Sequence, residues 1–333
     1  MPVDKTSRSA LVTGGAGFIG SHLAERLLAS GYRVHILDNE STGDRANVPA
    51  SATYQRGDTA DAGDVRAAFE AGRDGTGRSF DLVFHVAGQA STIRSFANPA
   101  GDFSTNALGT LNIVQACLEH RVPRLLFASS MTVYGHPAHV PVSEDEPCRP
   151  ISYYGISKYA AERFVLATAV RPDLDAPFHA TAFRMFNVYG PRQRLDNPYQ
   201  GVVGFFLGSA LQGAPITIHG TGEQSRDFVY ISDVADAWLG AIDEPKAFNQ
   251  VYNLGEGRRR TINELVATIL GAVGRSRADY PLQWGPRRPG DQEHMEADVA
   301  RLRADLGWRP RTSFDEGMAR TVAWAREVQQ EGV

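Results

Sequence analysis

A tyrosine and a lysine, Tyr154 and Lys158, lie four residues apart in segment 153–170, whose pattern predicts a helix. Side chains at this spacing share one helix face, so a phenol would lie beside an ammonium group. A nearby cation favours the phenolate and lowers the tyrosine pKa from its ordinary value of about 10. With 11 tyrosines and 3 lysines in 333 residues, chance gives roughly 0.1 such pairs. We predict that Tyr154 is a general base; for either residue alone, an exposed helix face would be the preferred interpretation.

Two hydroxyl side chains, Ser130 and Thr132, follow the predicted strand 124–128. Parallel sheets bind ligands at the carboxyl ends of their strands, so Ser130 is expected to face the same crevice as Tyr154. Its hydroxyl would bind the substrate oxygen whose proton Tyr154 takes. With a bound dinucleotide, these groups are suited to oxidising a secondary alcohol, and Thr132 completes the candidate catalytic set.

Three glycines, Gly14, Gly17 and Gly20, follow a short apolar strand and begin a predicted helix. This order is the first half of a dinucleotide-binding βαβ unit, in which amides at the helix start hold the pyrophosphate. Asp38 ends the next predicted strand, where a carboxylate accepts hydrogen bonds from the adenosine ribose. A carboxylate there would repel the 2′-phosphate of NADP, so NAD is the predicted cofactor. The alternative is a glycine turn without a ligand.

Further candidate cofactor contacts follow the ends of the same strands. They are Phe18, Ile19, Asn39, Asp58 and Ala87. The small residues at 87–90 permit close approach of a cofactor to the backbone. Asp58 has two interpretations, a hydrogen bond to the adenine amino group or an N-cap of the following helix.

Strands alternate with helices through the first half of the chain, which predicts an α/β fold with a Rossmann-type, doubly wound parallel sheet. Residues 1–185 are assigned to this NAD-binding domain. From 186 to 333, prolines and glycines interrupt the pattern, and we predict a smaller C-terminal substrate-binding lobe. Segment 227–243 is compatible with a return to the first domain.

The composition matches a soluble globular protein, with 42% hydrophobic and 22% charged residues. A formal net charge of -4 gives no reason to expect nucleic acid or an anionic membrane as a partner. The two cysteines, Cys117 and Cys148, suggest neither a disulfide framework nor a metal site. The first ten residues are polar and no apolar run reaches transmembrane length, so a cytoplasmic location is expected.

The chain resembles the extended short-chain dehydrogenase/reductases that act on nucleotide sugars, over nearly its whole length. The motifs that carry the resemblance are Gly-Gly-Ala-Gly-Phe-Ile-Gly at 14–20, Ser-Ser-Met-Thr-Val-Tyr-Gly at 129–135, Tyr154 with Lys158, Arg-Met-Phe-Asn-Val-Tyr-Gly-Pro-Arg-Gln at 184–193, Arg-Asp-Phe-Val-Tyr-Ile-Ser-Asp at 226–233, and Arg-Pro-Gly-Asp at 288–291. The resemblance implies that Gly14, Gly17, Gly20, Asp38, Asp58, Tyr154 and Lys158 hold NAD. It also implies a homodimer formed through helices 106–120 and 153–170.

The resemblance further implies a site for the substrate's nucleotide. Asn187, Arg226 and Arg288 would hold the diphosphate, because guanidinium groups match phosphate oxygens. Asp291 would bind the ribose. Thr217, in segment 215–219, would lie beside the base, taken as uracil, so a UDP-sugar is the expected substrate. The alternative for the two arginines is a surface ion pair.

The residues after Ser130 separate branches of the family. The 4,6-dehydratases carry Asp-Glu where this chain has Met131-Thr132, and decarboxylating relatives carry glutamate at position 132. What remains is suited to C4 epimerisation: Tyr154 takes the O4 proton, C4 gives hydride to NAD, and the 4-keto sugar rotates before the hydride returns. A nucleotide-sugar dehydratase or reductase, and a non-catalytic dinucleotide-binding sensor, stay as alternatives.

Two arginines that follow the Asn187 motif, Arg192 and Arg194, are used to predict the group at C6 of the sugar. A guanidinium there would pair with a carboxylate, which favours UDP-glucuronate and UDP-galacturonate. The alternative is that Arg192 packs against the second lobe and that the substrates are UDP-glucose and UDP-galactose.

Overall fold

A computed structural model describes residues 8–73, 79–199 and 201–330. The first seven residues, which contributed to the expected cytoplasmic location, lie outside these ranges. Within them, no helix combines the length and apolar composition that crossing a membrane requires. The cytoplasmic location stays a prediction.

The strands of the described residues form one large sheet and two small ones. They are β1 (Ser9–Thr13), β2 (Arg33–Asp38), β3 (Thr53–Arg56), β4 (Leu82–His85), β5 (Arg124–Ser130), β6 (His179–Met185), β7 (Asn187–Tyr189), β8 (Ile216–His219), β9 (Ser225–Tyr230), β10 (Gln250–Leu254), β11 (Arg259–Thr261) and β12 (Leu282–Gly285). The large sheet is parallel throughout and has the order β10-β6-β5-β4-β1-β2-β3. This architecture confirms the predicted Rossmann-type α/β fold.

Helices cover both faces of the large sheet. In the described part of the chain they are α1 (Phe18–Ala29), α2 (Ala62–Ala71), α3 (Thr92–Ala97), α4 (Pro99–Phe103), α5 (Gly109–Glu119), α6 (Tyr153–Ala169), α7 (Val202–Gln212), α8 (Ile231–Gly240), α9 (Ile262–Ala272), α10 (Ala300–Leu306) and α11 (Phe314–Gln330). Alternate strand residues enter separate cores: Val12 and Phe84 contribute to the one beneath α1 and α8, whereas Leu11 and Val83 contribute to the one beneath α2, α5 and α6. This two-sided burial explains the continuous apolar runs of the strands.

The second half of the chain contributes to both lobes. β10 pairs with β6 at the edge of the large sheet, and α8 packs against α1. β7, β9 and β11 form a three-stranded sheet, and β8 pairs with β12. The domain boundary at 185/186 stays a prediction.

The segment before α5 differs from the expected regular helix, because residues Ser104–Leu108 form a π-helical turn. Asn106 in this turn is buried, and its Nδ2 donates to Gln89 O at 3.1 Å and to Ser157 Oγ at 3.1 Å. A π turn inserts one extra residue, and such turns often accompany functional sites. Here it directs an amide side chain towards α6, which carries the tyrosine–lysine pair.

Candidate active site

The glycines of the first turn form a cradle between β1 and β4. Gly14 has a φ of +71°, and a Cβ there would lie 2.8 Å from Ala87 N, while a Cβ at Gly20 would collide with the Gly14 carbonyl. The N-cap of α1 is Gly17, which supplies no side-chain cap. The first amides of α1, including those of Phe18 and Ile19, therefore lack intrahelical partners at the wall of the main cavity. This cradle fits an anion such as the NAD pyrophosphate.

The predicted adenosine contacts lie beside this cradle in the same cavity. Asp38 Oδ2 accepts from Ala16 N at 2.9 Å, which anchors the carboxylate at the end of β2. Asp58 Oδ2 accepts from Asn39 Nδ2 at 2.9 Å. The N-cap of α2 is Asp61, so the alternative role of Asp58 as that cap is wrong. The residues present fit the adenosine half of NAD.

The four predicted catalytic residues converge on the same cavity. Ser152 caps α6, because its Oγ accepts from Gly155 N at 3.0 Å, and the helix then directs Tyr154 and Lys158 inward. Tyr154 and Ser130 both line this cavity, and the serine hydroxyl is near enough to lower the pKa of the phenol. Thr132 Oγ1 donates to Ser130 Oγ at 2.9 Å. A substrate hydroxyl at the Ser130–Tyr154 pair would meet a proton acceptor and a second hydrogen-bonding group.

Burial dominates the electrostatics of this pair. It raises the pKa of Tyr154 to about 12, although the hydrogen bond with Ser130 acts in the opposite direction. It lowers the pKa of Lys158 to about 7, against the opposing charges of Asp102 and Glu162. The expected lowering of the tyrosine pKa is therefore not a property of the protein alone. Desolvation of the phenolate is the largest contribution, and the positive charge of a bound NAD⁺ would act in the opposite direction.

The surroundings of Lys158 include residues that sequence reasoning missed. Its Nζ lies 4.3 Å from the centre of the Phe127 ring, and no carboxylate in the described residues is within ion-pairing distance. The nearby Asp102 is buried, and its carboxylate accepts from Gln89 Nε2 at 2.7 Å and from Ser157 Oγ at 2.6 Å. Asp102, Gln89 and Ser157 come from three separate elements, so no spacing in the sequence signals their meeting.

The predicted nucleotide-binding residues form the wall of a second cavity. That cavity is lined by Asn187, Thr217, Arg226, Arg288 and Asp291 among others, and three of these, Asn187, Arg226 and Asp291, also line the main cavity. Arg226 is ion-paired with Asp291. Asn187 Oδ1 is buried and has no hydrogen-bond partner. An unpartnered polar atom where the two cavities join is suited to a polar ligand that extends from one to the other.

Arg192 lies outside this site in the structure, and its predicted role in substrate binding stays a prediction. Its Nη2 is 2.5 Å from Glu25 Oε1, and its Nη1 donates to Ser21 Oγ at 3.3 Å. Both partners lie on α1, and Arg192 is absent from the residues that line the two cavities. Its left-handed backbone, with a φ of +69°, is part of the sharp turn that carries the side chain there. Arg194 does line the main cavity.

Comparisons with known proteins agree with this geometry. A model of the NAD dependent epimerase/dehydratase family matches residues 10–255. The UDP-glucose 4-epimerase of Mycolicibacterium smegmatis is 37% identical over 325 residues, which cover 96% of this chain and 99% of that protein. The solved UDP-glucose 4-epimerase of Thermus thermophilus in complex with NAD is 38% identical, with a TM-score of 0.86 and coverage of 96% and 99%. MoeE5, solved with NAD and either UDP-glucose or UDP-glucuronic acid, is 33% identical, with TM-scores of 0.85 and 0.84 and the same coverage.

A parallel sheet with a glycine cradle and an inward tyrosine–lysine pair defines an NAD-dependent enzyme of the extended short-chain dehydrogenase/reductase class. The chain belongs to the NAD-dependent epimerase/dehydratase family. The predictions of the family, of NAD as cofactor, and of an isomerase that acts on a nucleotide sugar are confirmed.

Proposed function

We propose that this enzyme interconverts UDP-glucose and UDP-galactose by epimerisation at C4. The observation that carries the proposal is that Ser130 and Tyr154 line one cavity, which continues to Arg226 and Arg288. The sugar carbon to be inverted would then lie at the hydroxyl pair while the diphosphate lies at the guanidinium groups. No carboxylic acid stands at position 131 or 132, so the chain lacks the acid–base pair that dehydration would need there.

Tyr154, Ser130 and Lys158 each have a separate role in the reaction. Tyr154, as phenolate, would take the O4 proton and return it to the opposite epimer, while Ser130 holds O4 in hydrogen-bond reach. Lys158, in its protonated form, favours the phenolate; it is buried, and its ammonium lies over the face of the Phe127 ring. NAD, when bound in the glycine cradle, would accept a hydride from C4 and give it back. Because the hydride is returned, the overall reaction needs no external oxidant.

A second substrate pair, UDP-glucuronate and UDP-galacturonate, is favoured by the similarity to MoeE5, which was solved with UDP-glucuronic acid. It would need a cation for the C6 carboxylate. Arg192 is held on Glu25, and Arg194 is held by Asp196 through hydrogen bonds of 2.9 and 2.7 Å. Arg192 is not among the described residues that line the two cavities, and this favours the neutral sugars.

Proton NMR of the purified enzyme separates these candidates. UDP-glucose and UDP-glucuronate are supplied separately, first without added NAD and then with it. We expect a galacto-configured anomeric signal from UDP-glucose and a much weaker one from the uronate. Conversion of the uronate alone would overturn the preferred substrate, and conversion of neither with NAD present would overturn both.

A variant tests the role of Glu25 in this preference. Glu25→Gln removes the carboxylate that holds Arg192 and leaves the Ser21 contact in place. If Arg192 can serve a uronate, this change lowers KM for UDP-glucuronate and leaves KM for UDP-glucose unaltered. Arg26→Gln is the matched control, because Arg26 lies on the same helix as Glu25 but pairs with Asp236 on α8.

We also propose a homodimer formed by helices near the site. Exposed apolar side chains are clustered on the π turn and on α4 and α6. They are Phe103, Leu108, Tyr153, Ile156 and Phe164. A second copy of the same face would bury them. Phe164→Glu should convert a dimer to a monomer in sedimentation velocity, whereas Trp284→Glu, at an exposed position on β12, should not. A monomeric wild-type protein at micromolar concentration would contradict the proposal.

A further inference from the structure

We propose that residues 191–194 form a strap that is fastened to α1 and presents Arg194 to the diphosphate of bound NAD. The inference concerns cofactor retention and does not depend on which sugar the enzyme uses. It also assigns a role to Arg192 and Arg194, for which the sequence predicts a contact with the substrate.

The first part of the strap is attached to α1 by three contacts. His22 Nε2 donates to the Pro191 carbonyl at 3.0 Å. Arg192 pairs with Glu25 at 2.5 Å and donates to Ser21 Oγ at 3.3 Å. These three residues lie within the first eight residues of α1, so the strap runs beside the helix whose first amides would hold the diphosphate.

The next residue anchors the strap on its other side. Gln193 is buried, its Nε2 donates to Val188 O at 3.3 Å, and its Oε1 accepts from Gly204 N at 3.1 Å. With Arg192 turned towards α1 and Gln193 turned into the second lobe, the backbone at Arg194 is fixed between the two lobes. Its side chain lines the main cavity.

The position of Arg194 within that cavity is at the cradle. Arg194 lines the same cavity as Gly14, Gly17 and Phe18. The hydrogen bond with Asp196 raises the pKa of Arg194, and the charge of Asp44, whose backbone N donates to Ala16 O at 2.9 Å in the glycine turn, adds to this. A Cβ at the adjacent Gly43 would contact the backbone of Ala16 and Gly17, which shows how closely the segment covers the cradle. A planar guanidinium there matches the geometry of a diphosphate.

The present partner of Arg194 is Asp196, two residues away, and both side chains are half-exposed or more. An exposed ion pair of this kind contributes little, so its exchange for a doubly charged diphosphate is favourable. The strap would thereby add a cation from the second lobe to the neutral amides of α1. An enzyme that gives its hydride back benefits from a cofactor that stays bound through both half-reactions.

Ligand titration tests the strap without measuring turnover. NAD, ADP and adenosine are titrated calorimetrically into the unliganded enzyme and into Arg194→Ala. We expect about a tenfold loss of affinity (about 1.4 kcal/mol) for NAD and ADP, and no change for adenosine, which has no phosphate. Arg194→Lys should recover part of the loss and show steeper salt dependence than the wild type.

Arg171→Ala is the matched control, because Arg171 pairs with Asp173 at the same two-residue spacing and with similar exposure. It should leave all three affinities unchanged. Arg192→Ala, which releases the strap from α1, should accelerate NAD dissociation severalfold, measured by dilution into excess labelled NAD. Unchanged affinity for NAD and ADP in Arg194→Ala would overturn the proposal. Equal losses for adenosine would also overturn it, since they would show a general effect on folding.

Discussion

Replacing Glu162 by glutamine should destabilise the enzyme strongly, because Glu162 holds a buried charge directly behind the catalytic residues. Glu162 lies one turn after Lys158 on α6. Its Oε1 accepts from Arg184 Nη2 at 2.6 Å, and its Oε2 accepts from Arg184 Nε at 3.0 Å and from Ser129 Oγ at 2.6 Å. Ser129 immediately precedes Ser130, so one carboxylate connects α6, β5 and β6.

The size of the effect follows from burial. The side chains of Arg184 and Glu162 are 7% and 1% exposed. Burial alone would lower the pKa of Arg184, but its hydrogen bonds and charge attraction to Glu162 raise the pKa instead, so the guanidinium stays charged. Glu162→Gln keeps the size of the side chain and leaves that charge uncompensated. Breaking a buried pair in this way costs about 3–5 kcal/mol.

Asp173→Asn is the control, because Arg171 and Asp173 are also 2.6 Å apart but are 46% and 63% exposed. An exposed pair contributes less than about 1 kcal/mol. Urea unfolding of both variants and the wild type, in the presence and absence of NAD, measures the difference in free energy. Equal destabilisation by the two changes would refute the reasoning from burial. Conversely, the double variant Glu162→Leu with Arg184→Met should recover part of the loss, since an apolar pair leaves no charge to solvate, although Ser129 Oγ and Glu144 O then lose a partner.

Three further predictions concern the site. Tyr154→Phe should lower kcat about 10³-fold with NAD affinity unchanged by calorimetry, and a fully active variant would remove Tyr154 from its role. Burial lowers the Lys158 pKa to about 7 from an ordinary 10.5, so the unfolded chain binds more protons between these values and stability rises with pH across them. In Lys158→Met, thermal unfolding without NAD should no longer show this rise of stability with pH. An unchanged pH dependence would contradict the lowered pKa of Lys158. Gly20→Ala should lower the thermal midpoint and weaken NAD binding through its collision with the Gly14 carbonyl, whereas Gly271→Ala, where a Cβ meets open space, should not.

Local sequence spacing was sufficient for the parts of the site that lie on one element. The cradle of Gly14, Gly17 and Gly20 occupies one turn, and Tyr154 and Lys158 share one helix face, so their geometry follows from the period of the backbone. The parallel sheet was also predictable, since apolar runs covered on both faces recur at regular intervals. Its seventh strand, β10, was not, because it pairs with β6 across a long segment of the second lobe.

Contacts between distant segments were beyond this reasoning. The buried carboxylate of Asp102 meets Gln89 and Ser157 only after α4, β4 and α6 have packed. The π turn at Ser104–Leu108 interrupts what sequence periodicity predicts as one helix. In each case the side chain pairs with a buried polar group from another element. Buried polar groups need a hydrogen-bond partner, but the local sequence pattern does not show which residue supplies it.

Arg192 shows how one distant partner changes a functional prediction. The argument for a uronate rested on a guanidinium near the sugar, but Glu25, 167 residues away in sequence, now competes for that guanidinium at 2.5 Å. The Arg192–Glu25 pair is partly exposed, so its contribution is about 1 kcal/mol or less. A substrate carboxylate could therefore displace Glu25 only if it gained more than this from Arg192. Substrate preference then depends on a balance between two carboxylates, and the glutamine variant at position 25 measures that balance directly.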